Sequence, residues 1–356
     1  MKNWQETRAV VEEAQALGAQ GRPCALAVIV RLEGSAYRQP GAKVLVRDDG
    51  TLLGNVSGGC LEGDVRENAL KLMSGSTARL LHYDTSGRED VVWGLGVGCN
   101  GKVDILVLPL VPGKQDGLLS ELGSLMRGDS PVSIAYALAG DAAGQICIVG
   151  GRSSGAAPGN ADVLKGAAEE ALKAGTSIYT DVGNVPVFSE FLSPPPHLVV
   201  CGAGDDAVPL VRLAVEAGFR VTVVDHRAAY LAPNRFPGAE RLVKAHPGEG
   251  ASEIPSGANA LAVVKHHILA QDKGWIRFFA AAGSPYIGLL GSRSRREEIL
   301  EGLDQEARSR VYGPVGLDLG AEGPEQVAIS VVAEAMAVWA GRSPGHLRDR
   351  ARPIHG

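Results

Sequence analysis

The stretch that most constrains this chain begins at His197. A mostly apolar run, His197-Leu198-Val199-Val200-Cys201, breaks into Gly202-Ala203-Gly204-Asp205-Asp206-Ala207, and an amphipathic segment from Val208 to Ala217 follows. A second apolar run, Arg220 to Asp225, then ends on an acid about 20 residues beyond the glycines. Strand, glycine turn, helix, strand and terminal acid, in that order, fit the G-x-G-x-x-G/A pattern. Gly202 makes the turn, Gly204 lets a pyrophosphate approach, and the small Ala207 lets helix and strand pack closely. This is the grammar of a Rossmann-type, doubly wound parallel sheet, in which helix N-terminal N–H groups are expected to face the phosphates and Asp225 to accept bonds from ribose hydroxyls, the alternative being a scaffold that keeps its glycines for packing and has lost the ligand. Arg227 offsets the negative charge that Asp205 and Asp206 bring close to the phosphates. Further apolar runs at Ala260 to Val264 and Tyr286 to Leu290 extend the sheet. The residues after them, Lys265-His266-His267 and Gly291-Ser292-Arg293, fall at carboxyl ends of strands, where such sheets bind ligands. A solvated loop for the histidines, and a solvated helix start for Arg293, stay open as alternatives.

At 356 residues the chain exceeds the roughly 250–300 at which one core stops growing. Pro194-Pro195-Pro196 marks the break: an N-terminal domain over 1–193, a linker over 194–196 and the Rossmann-type domain over 197–356. The first domain reads as mixed α+β. Periodicity predicts helices over Trp4 to Leu17 and Leu61 to Met73, and strands over Cys24 to Leu32 and Val103 to Leu110. A hairpin is expected around Asp48-Asp49-Gly50, with weaker strands near Ser133 to Leu138 and Gln145 to Val149. Gly150 to Ala161 reads as a surface loop, Gly113 to Gly175 carries no motif, and no internal repeat is visible.

A net charge of -5 and a charged content of 21% leave no basic excess, so neither nucleic acid nor an anionic membrane is expected as partner. The amphipathic start resembles no export signal and no run is long enough to span a bilayer, so the expected location is the cytoplasm. Five cysteines, an odd number, argue against a disulfide framework. Cys24, Cys147 and Cys201 sit in strand-like runs and are expected in the core.

The other two cysteines are flanked by glycines. Ser57-Gly58-Gly59-Cys60 leads into a predicted helix that opens with Glu62 and Asp64, and Gly98-Cys99-Asn100-Gly101 leads into a strand. A thiol at a helix N-terminus among glycines combines thiolate stabilisation with an anion-binding backbone, so Cys60 and Cys99 are the candidate reactive or ligand-binding thiols. A tight structural turn is the alternative for both. Arg38 and Lys43 add cations on a constrained loop. A zinc site from Cys60, Cys99 and His82 has no C-x-x-C or H-x-x-x-H spacing behind it, and no metal site is expected.

With these segments in view, the chain resembles the xanthine dehydrogenase accessory protein (XdhC/CoxI) family over nearly its whole length. The residues that carry the resemblance are Gly34-Ser35-Ala36-Tyr37-Arg38 with Pro40-Gly41-Ala42-Lys43, Ser57-Gly58-Gly59-Cys60-Leu61-Glu62, Gly98-Cys99-Asn100-Gly101, Tyr286-Ile287-Gly288 with Gly291-Ser292-Arg293, and Gly316-Leu317-Asp318-Leu319-Gly320-Ala321. Where the family commonly has a Thr-His-Asp-like tripeptide this chain has Lys265-His266-His267, so only His266 and the later Asp272 carry over. The resemblance implies a cytoplasmic chaperone that binds molybdenum cofactor, as molybdopterin or its dinucleotide, promotes its sulfuration and delivers it to a xanthine dehydrogenase-like molybdenum hydroxylase. A cysteine desulfurase and a second copy of the chain are the further expected partners. The expected cofactor-binding set is Arg38, Lys43, Ser57, Gly58, Gly59, Cys60, Glu62, Cys99, Gly202, Gly204, Asp225, Arg227, His266, Ser292 and Arg293. The competing reading is an NAD(P)-dependent oxidoreductase that uses the C-terminal domain, with Cys60 or His266 near the hydride acceptor.

Overall fold

The computed structural model describes residues 2–34, 37–74, 77–84, 101–150, 153–156, 161–249 and 252–350. The chain divides between Pro194 and Pro195, inside the proline run, into two compact units.

The first unit is built twice on one plan. Helix α1 (Lys2–Ala19) precedes strands β1 (Cys24–Gly34), β2 (Lys43–Arg47) and β3 (Leu52–Gly54), then α2 (Glu62–Leu72), β4 (Arg79–Asp84) and β5 (Gly101–Leu110). Helix α3 (Asp116–Leu125) opens the second round: β6 (Val132–Ala137), β7 (Ile146–Gly150), β8 (Ser153–Ala156), α4 (Ala161–Ala174), β9 (Ile178–Val182) and β10 (Val185–Leu192). Both five-stranded sheets are antiparallel, with orders β3-β2-β1-β5-β4 and β8-β7-β6-β10-β9. The expectation of no internal repeat is therefore corrected. The repetition lies in connectivity and burial rather than in residue identity, which is why reading the letters does not reveal it.

Burial explains the apolar runs. Along β1, Leu26, Val28 and Val30 face a core shared with α1, α3 and the second sheet, including Ile134, Tyr136, Ile148 and Phe188. The alternating residues Ala25, Ala27 and Ile29 pack under Val65 and Ala69 of α2 on the other face. A strand covered on both faces loses its polar alternation. Helix α4 covers the second sheet in the same way, placing Leu164, Ala167 and Ala168 on Ala135, Ala137 and Cys147. The surface loop expected over 150–161 is corrected at Ser153–Ala156, which pairs with β7 from Gly150↔Ser153 to Cys147↔Ala156, while 151–152 and 157–160 lie outside the described residues. Four small residues give no periodic signal, and ladder hydrogen bonds alone define this edge strand.

The second unit is α/β: β11 (His197–Cys201), α5 (Ala207–Glu216), β12 (Arg220–Asp225), β13 (Arg241–Lys244), β14 (Ala260–Val264), α6 (Leu269–Ala281), β15 (Ile287–Leu289), α7 (Arg293–Leu300), α8 (Gln305–Ser309), β16 (Val311–Tyr312) and α9 (Gly323–Trp339). All six strands are parallel in the order β13-β12-β11-β14-β15-β16. Numbered within the unit this is 3-2-1-4-5-6, the Rossmann order, with its switch point between β11 and β14. The acid interrupting the apolar α9 has a structural task. Glu334 accepts hydrogen bonds from the buried Tyr286 hydroxyl (2.8 Å) and the Gly316 N–H (2.9 Å). Among the described residues no helix is long and apolar enough to cross a membrane.

Candidate functional site

In the first unit, topology brings the predicted loops to one end of one sheet. β1 ends at Gly34, opposite Gly101, and β2 starts at Lys43. β3 ends at Gly54, opposite Val44, and β4 ends at Asp84, opposite Lys102. The connections that carry Arg38 and Ser57–Cys60 thus leave from the same edge, and so do the anchor points of the connection that carries Cys99. Cys99 itself lies outside the described residues.

The Ser57–Cys60 turn is braced from within. Glu62, first residue of α2, reaches back to accept the N–H groups of Val56 (3.2 Å) and Ser57 (2.7 Å) and the Ser57 hydroxyl. Ser57 Oγ in turn accepts from Gly59 N and Leu61 N, both at 3.1 Å. Burial would raise the Glu62 pKa, but the bonds from Ser57 and the backbone outweigh it and hold the carboxyl below the usual range. Gly59 has a φ of 114°, which favours glycine, and a Cβ on Gly58 or Gly59 would meet nothing within 4 Å. The turn thus holds the half-buried Cys60 one residue ahead of Leu61, the N-cap of α2, with open space above its glycines. Ser57 and Glu62 shape this loop with the very atoms that the sequence reading assigns to a ligand.

Two predicted cations are already committed. Lys43 is 1% exposed and its Nζ donates to both carboxylate oxygens of Glu190, itself 1% exposed, and to the Gly41 carbonyl (2.9 Å). Lys43, expected as a ligand-binding cation, is in the structure the buried partner of Glu190, a residue 147 positions away that no local pattern reveals. Arg38, 10% exposed, pairs with Glu6 of α1. Cys24, Cys147 and Cys201 are buried; burial pushes the first two thiols up to about 11 and raises Cys201 as well, so none is a ready thiolate. His82 is exposed and bonded to Asp104 at 2.7 Å.

In the second unit the carboxyl ends of the strands form the other candidate region. Gly202 has a φ of 118°, and a Cβ there would stand 2.8 Å from the Lys265 carbonyl oxygen. The glycine therefore admits the neighbouring strand's backbone. At Gly204 a Cβ would meet Asp206 Oδ1 at 2.7 Å, and Asp206 pairs with the buried Lys265. Asp225 is fully buried: Oδ1 accepts from Arg227 N (2.8 Å) and Nε (3.0 Å), and Oδ2 from Ala203 N (2.7 Å) and Arg227 Nη2 (3.0 Å). A carboxylate has about four lone-pair sites, and these four bonds occupy them, so a ribose hydroxyl reaches Asp225 only by displacing an Arg227 side-chain contact. Burial works against ionisation here, yet the bonds from Arg227 and Ala203 hold this carboxyl well below the usual range.

His266 is buried, its N–H donating to Asp272 Oδ1 (3.0 Å), while Asp272 Oδ2 accepts from Arg295 (2.6 Å). Burial pushes its imidazole down to about 4, against the opposing pull of Asp225 and Asp272, so the ring is neutral at pH 7. Ser292 caps α7 by accepting from Arg295 N (3.3 Å), and Arg293 is an exposed first helical residue. Arg295 rather than Arg293 reaches the His266 network. His226, overlooked in the sequence, completes the cluster, its ring 6.0 Å from that of His266 and 5.2 Å from that of His246. A signal existed: His226, His246 and His266 recur every 20 residues, each just past a strand.

Comparison with known proteins places this architecture. The family described as XdhC and CoxI matches residues 17–84, which include the Cys60 loop, and the XdhC Rossmann domain matches 198–335. A Bacillus subtilis protein named as a probable xanthine dehydrogenase subunit is 35% identical over 309 residues, covering 87% of this chain and 91% of the relative. The chain belongs to the XdhC and CoxI family. Another relative, the molybdenum cofactor insertion chaperone PaoD of Escherichia coli, is 30% identical over 116 residues, 33% of this chain and 35% of PaoD. A crystal structure from Bacillus halodurans, described as a xanthine dehydrogenase, superposes with a TM-score of 0.79 at 27% identity, covering 94% of this XdhC-family chain and 96% of that one.

Proposed function

We propose that this protein is a non-catalytic accessory factor that holds molybdenum cofactor, protects it, and helps to sulfurate and insert it into a xanthine dehydrogenase-like molybdenum hydroxylase. The observation that carries this reading is the braced Ser57–Cys60 turn, which sits inside the segment matched to the family. Its donor set fits the group: a half-buried soft thiol ahead of a helix, with open space over Gly58 and Gly59. When bound, the cofactor would supply molybdenum and dithiolene sulfur, and a thiolate at Cys60 would act there as a metal ligand or as the nucleophile that carries transferable sulfur. Kinship with a relative named for cofactor insertion supports the same reading. A cysteine desulfurase as sulfur source, a homodimer, a cytoplasmic setting, and a split between a cofactor-handling region 1–193 and a Rossmann-type region 197–356 belong to this proposal. The NAD(P)-dependent alternative draws on the 3-2-1-4-5-6 sheet and needs a ribose to displace an Arg227 contact at Asp225.

Cys60→Ser tests it, because the change keeps size nearly constant and removes the soft donor. Native mass spectrometry of protein from molybdenum-replete cells should show less bound cofactor in the variant, and reconstituted client should lack its terminal sulfur. Cys24→Ser, in the core, should lower stability and leave loading intact. Unchanged cofactor content and client activity in Cys60→Ser would overturn the proposal.

A further inference from the structure

The carboxyl ends of β12 and β14 flank that of β11, so Asp225 and His226 on one side face His266 on the other. One ligand atom from each of these three residues lies within 4.8 Å of the other two. Ligand atoms in a tetrahedral shell around one zinc-sized ion, at about 2.0–2.1 Å, stand about 3.4 Å apart, so a pair 4.8 Å apart closes by about 1.4 Å, shared between rotations of two side chains. Both ring nitrogens of His266 and the Nδ1 of His226 are buried without a hydrogen-bond partner. The His266 side chain is wholly buried, and an imidazole in that position without partners loses the hydration of both nitrogens. Its backbone and the ring's stacking on Trp275 (6.5 Å, 11°) fix where it points.

We infer that Asp225, His226 and His266 form a binding site for a divalent first-row transition metal ion of the zinc class. Two imidazoles and a carboxylate suit such an ion and disfavour magnesium or calcium, which take all-oxygen shells. The ion takes its place between Asp225 Oδ1 and His226 Nδ1, atoms that lie 3.4 Å apart, displacing the Arg227 Nε contact. Arg227 is 41% exposed and already stacks on Tyr230 at 3.8 Å, so its guanidinium has a place outside the shell. The exposed His246, with its ring beside His226, is in position to add a fourth donor by side-chain rotation. Such an ion ties the ends of two strands across the Gly202 turn. The inference is independent of the Cys60 loop and of molybdenum.

The test titrates chelator-treated full-length protein with Zn2+, and with Co2+ as a spectroscopic probe. One equivalent should bind at micromolar concentration, with ligand-field bands for Co2+ and no competition from millimolar Mg2+. His226→Gln, at a partly exposed position that should tolerate the change, should weaken binding at least tenfold, as should His266→Gln if it folds. His82→Gln, an exposed histidine of the other unit, should bind as the parent does. Absence of stoichiometric uptake by the parent, or parental affinity in His226→Gln, overturns the site.

Discussion

Lys43 and Glu190 form an ion pair with each side chain 1% exposed, joined by bonds to both carboxylate oxygens and lying beside Tyr136. Two charges in such a place are costly unless each satisfies the other, so the pair's value shows only when one member is removed. Lys43→Met should lower unfolding free energy by about 3–5 kcal/mol because it strands a buried carboxylate. The double change Lys43→Met with Glu190→Leu should recover most of that loss. Chemical denaturation of the three proteins measures both. If Lys43→Met instead keeps parental stability while losing cofactor, the lysine is a ligand after all. Asp225 follows the same logic: its position at the end of β12 is legible, but that its own neighbours fill its oxygens is not.

Among the elements, those with strong periodicity or strong punctuation could be read directly. The α1 helix, β1, the β2–β3 hairpin, β11 with α5, β12, β14 and β15 stand where apolar runs and turn punctuation put them, whereas the short strands β13 and β16 leave no such signal. Two features that could not be read share one cause: the stabilising partner is distant. Neither the edge strand β8 nor the pairing of Lys43 with Glu190 leaves a local pattern. The β3–α2 turn is the opposite case, since Ser57 and Glu62 lie five residues apart and brace it themselves. Because the Glu62 pKa is depressed in the folded state, its contribution is complete above the unfolded value of about 4.3 and fades as pH falls through the lower folded value. Amide protection at Ser57, Gly59 and Leu61 should therefore drop as the solution is acidified below about pH 4. In Glu62→Gln the same amides should be poorly protected at every pH. Acid-insensitive protection in the parent would mean that Glu62 does not hold the turn.

At the scale of the whole molecule, the first unit says the same thing twice in connectivity and only once in chemistry. In the second copy β9 and β10 are joined by Gly183-Asn184 alone, both at positive φ, in a two-residue hairpin. In the first copy the corresponding strands β4 and β5 are separated by residues 85–100, the stretch that includes Cys99. The plain copy acts as an internal control on the elaborated one, showing that this sheet closes without such an insertion. Excising residues 85–100 and bridging Asp84 to Gly101 with a short Asn-Gly turn should leave the melting temperature within a few degrees of the parent. The same excision should abolish cofactor loading in the assay used for Cys60→Ser. A collapse of the fold would show that the insertion is structural, and full loading would show that it is dispensable. The duplicated scaffold thus offers a surgical separation of two questions: one half can be edited while the other records what the architecture alone requires.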